Sequence, residues 1–191
     1  MCAPRSAADA PVRQALIAGV AALALAAGVA AGYYQFHHRS APVTALADAA
    51  QLPLLDLKSE PRRIAEWRGG WVLVNFWATW CPPCLEEIPL LIATQTEHGA
   101  HGLTVLGVAV DNLPNVGSFY VGLGMNYPTL LGEDDALRVM AGFGNPRGTL
   151  PYTVLLDPAG EVVASQHGAV DHARLATLLA PYLTTISRSK P

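Results

Sequence analysis

The hydrophobic positions of this chain fall into runs of three kinds, and each kind predicts a different element. Between Trp71 and Trp77 every residue except Asn75 is apolar, with Val and aromatics dominating. A run so short and so uniformly apolar predicts a strand buried on both faces. Leu103–Val110, L-T-V-L-G-V-A-V, predicts a second strand of the same type. Helices are predicted from Pro82 to about His98, stopped near Gly99, and within 111–125, where Pro114 and several glycines interrupt. Two more are predicted at Asp134–Phe143, capped by Asp134, and at Asp171–Leu183, where Leu175, Leu178, Leu179 and Leu183 recur at helical spacing. Shorter strand signals lie at Leu52–Leu57, an edge strand because of Pro53, and at Tyr127–Leu131. Tyr152–Leu156 and Glu161–Gln166, joined by Asp157-Pro158-Ala159-Gly160, predict a hairpin. Ile64–Arg68 reads as a helical turn ending at Gly69-Gly70. Strands alternating with helices imply a parallel βαβ unit and an α/β class.

The third kind of run is longer. Gln14–Phe36 holds 23 residues with no charge, enough for a helix to cross a bilayer. Arg5 and Arg13 precede it and Arg39 follows, so the positive-inside rule favours a cytoplasmic N-terminus, with Tyr33, Tyr34 and Phe36 near the outer interface. A cleavable signal peptide is the competing reading, with small-x-small sites at Val29-Ala30-Ala31 and Ala45-Leu46-Ala47. The uncleaved anchor is favoured, because the apolar run exceeds the roughly 7–15 residues of a signal core. The expected organisation is a cytoplasmic stub and anchor at 1–39, a tether at 40–51, a folded domain at 52–184 and a polar tail at 185–191. Cys2 then reads as an unpaired cytoplasmic thiol, and His37 with His38 as an interfacial flank. Of 191 residues, 51% are hydrophobic and the net charge is −3; no basic cluster stands out, so nucleic acid is not an expected partner.

Cys81 and Cys84 carry the candidate chemistry. They stand where the Trp71–Trp77 strand gives way to the helix, with Pro82 and Pro83 in its first turn and Glu86 and Glu87 where the dipole favours negative charge. A cysteine at a helix N-terminus faces unpaired N–H groups and the positive dipole end, which favour thiolate over thiol. Cys81 is therefore the expected nucleophile, and Cys84, nearly a turn further on, the group that resolves a mixed disulfide. Zinc would require two more ligands at short spacing; no second C-x-x-C exists and the nearest downstream histidine is His98. Trp77 and Trp80 flank the cysteines and read as one core residue and one rim residue that shields the sulfur. His167 and His172 have no motif around them.

N-F-W-A-T-W-C-P-P-C-L-E-E-I-P at 75–89 and G-T-L-P-Y-T-V-L-L-D-P-A-G-E-V-V at 148–163 resemble the thioredoxin superfamily, and within it the TlpA/ResA-like membrane-anchored thiol:disulfide oxidoreductases. The resemblance covers roughly Leu52–Leu183. It implies a thioredoxin-like fold, a central mixed sheet flanked by helices, and says nothing about residues 1–40, where the Gln14–Phe36 run would add an N-terminal transmembrane helix. It also implies that Pro151 is cis and that the Leu150 backbone lies beside the Cys81 sulfur, where an extended substrate could pair with it. Trp80, Pro82, Pro83 and Leu150 are the expected substrate contacts. Asn75 departs from plain thioredoxins, which hold a buried aspartate here; an amide cannot take the Cys84 proton, so another base or water must. Glu87 matches the group's C-x-x-E-x-P pattern and shares a helix face with Cys84, while an exposed glutamate beside the dipole is the alternative. Residues 111–143 resemble the insertion that separates the anchored group from plain thioredoxins. The implied activity is protein-disulfide exchange in the periplasm by an inner-membrane enzyme, most simply as a reductase. No cofactor or metal is expected. A membrane electron relay is the implied donor, with apocytochrome c or copper-centre proteins as clients. The rivals are a disulfide-donating oxidase on the same site and a thioredoxin-like copper-delivery module, which would carry C-x-x-x-C and a partner histidine.

Overall fold

The computed structural model describes residues 49–186 together with Gly19, Val20, Ala24 and Gly28, these last four helical. Residues 1–42 and 43–191 form two compact units. The expectations for Cys2, for His37 and His38, for most of the Gln14–Phe36 anchor, for 40–48 of the tether and for the end of the tail lie outside the described residues. Among the described residues no helix is long and apolar enough to cross a membrane.

Seven strands form one sheet in the order β2-β1-β5-β4-β3-β6-β7. They are β1 (Leu54–Asp56), β2 (Pro61–Arg62), β3 (Trp71–Trp77), β4 (Leu103–Ala109), β5 (Thr129–Leu131), β6 (Tyr152–Leu156) and β7 (Val162–His167). β3, β4 and β5 run parallel, whereas β6 is antiparallel to β3, β7 to β6 and β1 to β5. The sheet is therefore mixed. α1 (Pro82–His98) connects β3 to β4, and α2 (Leu113–Gly122) connects β4 to β5. α3 (Asp134–Gly142) precedes the β6–β7 hairpin, and α4 (His172–Leu179) and α5 (Leu183–Ile186) close the chain.

β3 is buried along all seven residues, and its two faces feed two different cores. Trp71, Leu73 and Trp77 pack with Cys84, Ile88 and Leu91 of α1 and with Leu175, Leu178 and Leu179 of α4. Val72, Val74 and Phe76 pack with Ala136, Val139 and Met140 of α3 and with Phe143. Period-two alternation thus sorts one uninterrupted apolar run between two layers of helices.

Several expected boundaries move. β1 is not an edge strand: it pairs with β5 on one side and with two-residue β2 on the other. The outer strand forms because the Asp56 carboxylate accepts the Lys58 and Glu60 N–H groups and turns the chain back. Pro61, in β2, is the proline that occupies the edge. Packing of the domain begins before Leu52, since Ala49 and Ala50 are buried in the α3-side core and the Ala50 carbonyl accepts the Ala65 N–H. α3 starts after Glu133, with Asp134 inside its first turn rather than capping it. The last helix breaks after Leu179, although Asp171 caps its start through the Arg174 N–H.

Candidate active site

The site lies where β3 ends and α1 begins. Cys81 is the N-cap of α1, with Pro82 and Pro83 in the first two helical positions, where their missing N–H groups leave no helical bond unmade. Its carbonyl accepts the Cys84 and Leu85 N–H groups at 3.0 and 3.2 Å, closing the first turn. Cys81 and Cys84 form a disulfide with Cα atoms 5.3 Å apart. Cys81 retains 6% exposure and Cys84 none, so of the two residues only Cys81 reaches the surface.

The approach to Cys81 is held from the side by Asp111, a residue no sequence motif singled out. Asp111 follows β4, and its carboxylate accepts the Thr79 hydroxyl at 2.5 Å and the Thr79 N–H at 3.2 Å. Its other oxygen accepts the Asn112 N–H and the Asn115 amide. Burial pushes the carboxyl up, but these donors outweigh it and hold Asp111 below its ordinary range. The loop preceding Cys81 is thereby pinned to the neighbouring strand.

Glu86 and Glu87 lie in the second turn of α1, beyond the first-turn positions expected of them. Glu86 is exposed and Glu87 is buried beneath the helix. Glu87 Oε1 accepts Asn75 Nδ2 at 2.7 Å, and Oε2 accepts the Val170 N–H at 2.7 Å. Asn75 Nδ2 also donates to Thr153 Oγ1 at 3.1 Å. Burial pushes Glu87 up to about 7, against the opposing pull of the Val170 and Asn75 donors. Burial thus rules out the alternative of an exposed glutamate at Glu87, while Glu86 is the exposed one of the two. A carboxyl titrating near neutrality, on the face of α1 that carries Cys84, can take or give a proton.

The Leu150–Pro151 peptide is cis. Tyr152 pairs with Phe76, so Pro151 stands one residue past the last paired position, at the end of β3 that leads to Cys81. Trp80 and Leu150 line one open groove of about 360 Å³ with Val110, Leu137, Pro146, Arg147 and Gly148. Trp80 is 65% exposed, which makes it the rim residue, whereas Trp77 is fully buried. Pro82 and Pro83 are exposed at the head of α1 but do not line that groove. His167 packs its ring on Tyr152 at 4.4 Å, and among the described residues no group of three or more potential ligands could hold a metal.

Fold and site together place the molecule among thioredoxin-like enzymes that exchange disulfides with proteins. Residues 43–165 match the AhpC/TSA family, and the chain belongs to it. It is 31% identical over 131 residues to the thiol-disulfide oxidoreductase ResA of Geobacillus thermodenitrificans, covering 68% of this chain and 73% of that protein. It is 32% identical over 168 residues to the thiol:disulfide interchange protein HelX of Rhodobacter capsulatus, covering 84% of this chain and 92% of that one. A solved thiol:disulfide interchange protein of the thioredoxin family from Chlorobium tepidum superposes with a TM-score of 0.60 at 27% identity, over 75% of this chain and 98% of its own.

The buried carboxyl has a consequence for stability. Glu87 sits near 7 in the folded protein against 4.5 for the free group, so between those values the folded state binds the proton more tightly. This stabilisation is fully present below about 4.5 and is lost as pH rises through about 7, on the order of 3 kcal/mol in all. Urea unfolding of the oxidised protein across that window should show the wild type losing stability relative to Glu87→Gln. Parallel pH profiles for the two proteins would refute the assignment.

Proposed function

We propose that the enzyme works as a reductase of extracytoplasmic protein disulfides, with Cys81 as nucleophile, Cys84 as resolving thiol and Glu87 as proton acceptor. One observation carries the reading: a buried, near-neutral carboxyl shares a helix face with the fully buried cysteine, while the partly accessible cysteine caps the same helix. In the reduced enzyme the Cys81 thiolate attacks one sulfur of a client disulfide, forming a mixed disulfide and releasing the client's first thiolate. Glu87 takes the Cys84 proton, and Cys84 attacks the Cys81 sulfur and expels the client's second thiolate. The client gains two electrons, and Cys81–Cys84 closes as the disulfide seen here. Asn75 cannot serve in place of Glu87, because its amide donates to that carboxylate.

Trp80 and Leu150 line the groove where an extended client segment lies, Pro151 immediately precedes β6, and Pro82 and Pro83 follow Cys81 at the head of α1. Those prolines also bear on direction. They offer the Cys81 thiolate neither a cation nor an N–H, so its stabilisation stays moderate. Its potential then lies nearer that of thioredoxin, about −270 mV, than the oxidase limit of about −120 mV. Such a pair reduces proteins in an oxidising compartment only while a donor keeps it reduced, and a membrane electron relay fits that need. The TlpA/ResA-like resemblance supports apocytochrome c maturation or copper-centre assembly as the setting. The uncharged Gln14–Phe36 run with Arg5 and Arg13 before it supports a single-pass anchor in the cytoplasmic membrane and a catalytic domain in the periplasm.

Four measurements test this reading. A Cys84→Ser variant should trap client proteins on Cys81; in wild type the mixed disulfide should resolve faster as pH rises through about 7, and Glu87→Gln should slow it about 100-fold. A larger effect from Glu86→Gln would reassign the proton acceptor. Equilibration with glutathione gives the potential directly, and a value above about −160 mV would make the enzyme an oxidase. A membrane-impermeant thiol reagent applied to intact, pre-reduced cells should label Cys81; labelling of Cys2 alone would reverse the topology.

A further inference from the structure

Trp80 adjoins Cys81 and Leu150 adjoins Pro151, and the groove of about 360 Å³ that both line continues along Leu137 of α3. Trp80 is 65% exposed and Leu137 36%, so two large apolar side chains that folding could have buried are left facing solvent in one concavity. Apolar, concave surface with few polar groups is the usual form of a recognition site. Only one charged residue lines it, Arg147.

The backbone fixes Arg147 in that place. Asn145-Pro146-Arg147-Gly148 is a β-turn, closed by the Gly148 N–H on the Asn145 carbonyl at 3.2 Å. Asn in the first position, Pro in the second and Gly in the fourth are residues that a type I turn favours. The turn is anchored from inside, because Asn145 is buried and its Nδ2 donates to the Thr149 carbonyl at 2.7 Å. The Asn145 N–H donates to the Met140 carbonyl at 3.1 Å, which ties the turn to the end of α3. Gly148 has a φ of +68°, and a Cβ there would lie 3.2 Å from Leu137 Cδ2, so the turn sits directly against the groove wall. Arg147, third in the turn, is exposed.

Its guanidinium is uncommitted. Arg62, Arg138 and Arg174 each pair with a carboxylate one helical turn away, on Glu66, Asp135 and Asp171. Arg147 has no ion pair and no side-chain hydrogen bond among the described residues. An arginine keeps its charge at any working pH, and its planar fork fits a carboxylate through two parallel hydrogen bonds. The clients of a protein-disulfide oxidoreductase are polypeptides, in which the side-chain anions are Asp and Glu. We propose that Arg147 is a specificity-determining residue: it binds a carboxylate side chain close to the client's reacting cysteine, while a neighbouring apolar client side chain lies against Trp80 and Leu137. The assignment rests on the reading of this groove as the client site. An ion pair at an open rim acts mainly on encounter and weakens in salt, so the preference is several-fold rather than absolute.

The test times the trapping of disulfide-bonded peptides on Cys81 in the Cys84→Ser protein, a step that does not depend on whether the wild type runs as reductase or oxidase. The peptides differ only in carrying Glu, Gln or Lys at one position, placed in turn on each side of the reacting cysteine. With Arg147 present, the Glu peptide should be trapped about 5-fold faster than the Gln peptide at low salt, and the Lys peptide slowest, with the spread shrinking as salt is added. Arg147→Gln should bring the three to a common rate, and Arg147→Glu should reverse their order. Arg174→Gln makes the same charge change on α4, across the sheet from α3, and should keep the preference. Equal rates for the three peptides with Arg147 present, a Glu preference that survives Arg147→Gln, or one lost equally in Arg174→Gln would overturn the assignment. Trp80→Ala separates that failure from failure of the groove reading. If the charge preference is absent but Trp80→Ala slows all three peptides, only Arg147 falls; if Trp80→Ala changes none of them, the groove falls with it.

Discussion

The carboxyl of Glu87 is the point on which the site's construction depends. Through two hydrogen bonds of 2.7 Å it joins α1 to Asn75 in the central strand and to the Val170 backbone ahead of α4. Burying a carboxyl is unfavourable for its charged form, and the two donors offset that only in part, which is why the group is pushed up to about 7. The same balance that makes the group costly to bury suits it to the proposed role, since a proton acceptor works best when its own affinity is close to the working pH. Three chain segments meet there, so the fold and the proposed proton chemistry share one set of contacts.

Around that point the structure separates what must be buried from what must be reached. Cys84 lies with Glu87 beneath α1, and Cys81 caps the helix with a small exposed surface. The loop before Cys81 carries no regular structure of its own. Asp111 supplies what secondary structure would otherwise provide, binding Thr79 through both its hydroxyl and its N–H. On the outer side, the exposed indole of Trp80 and the Leu150 side chain open onto a groove that no single segment could form. A mobile or misplaced loop here would move the sulfur relative to that groove, so rigidity from Asp111 and access at Cys81 belong to one arrangement.

Much of this was already legible in the chain because the physics behind it is local. An uninterrupted apolar run becomes a strand buried on both faces whatever covers it, and β3 spans the predicted Trp71–Trp77. Prolines in a first turn and a cysteine before them announce a helix start, so the placement of Cys81 followed from residues 81–83 alone. Boundaries set by side-chain competition were less secure. The turn made by Asp56, which adds β2 outside β1, depends on which N–H groups its carboxylate reaches, and α3 starts after Glu133 with no side-chain cap. No pattern of hydrophobic positions records that.

What only the tertiary structure decided are the contacts between distant positions. Glu86 and Glu87 are adjacent and alike in sequence; the 100° between neighbouring helical residues sends one to solvent and the other into the core. Asp111 stood only at the start of a stretch predicted to carry a helix, and the end of β4 brings it alongside Thr79. Val170 has no functional signature, because its contribution is a backbone N–H that any residue but proline would supply. The chain by itself determined the reacting atoms, since thiol chemistry belongs to residue type and to a helix end that is written locally. Their protonation and exposure were left to the fold, because desolvation and hydrogen bonding are set by neighbours that sequence distance does not reveal.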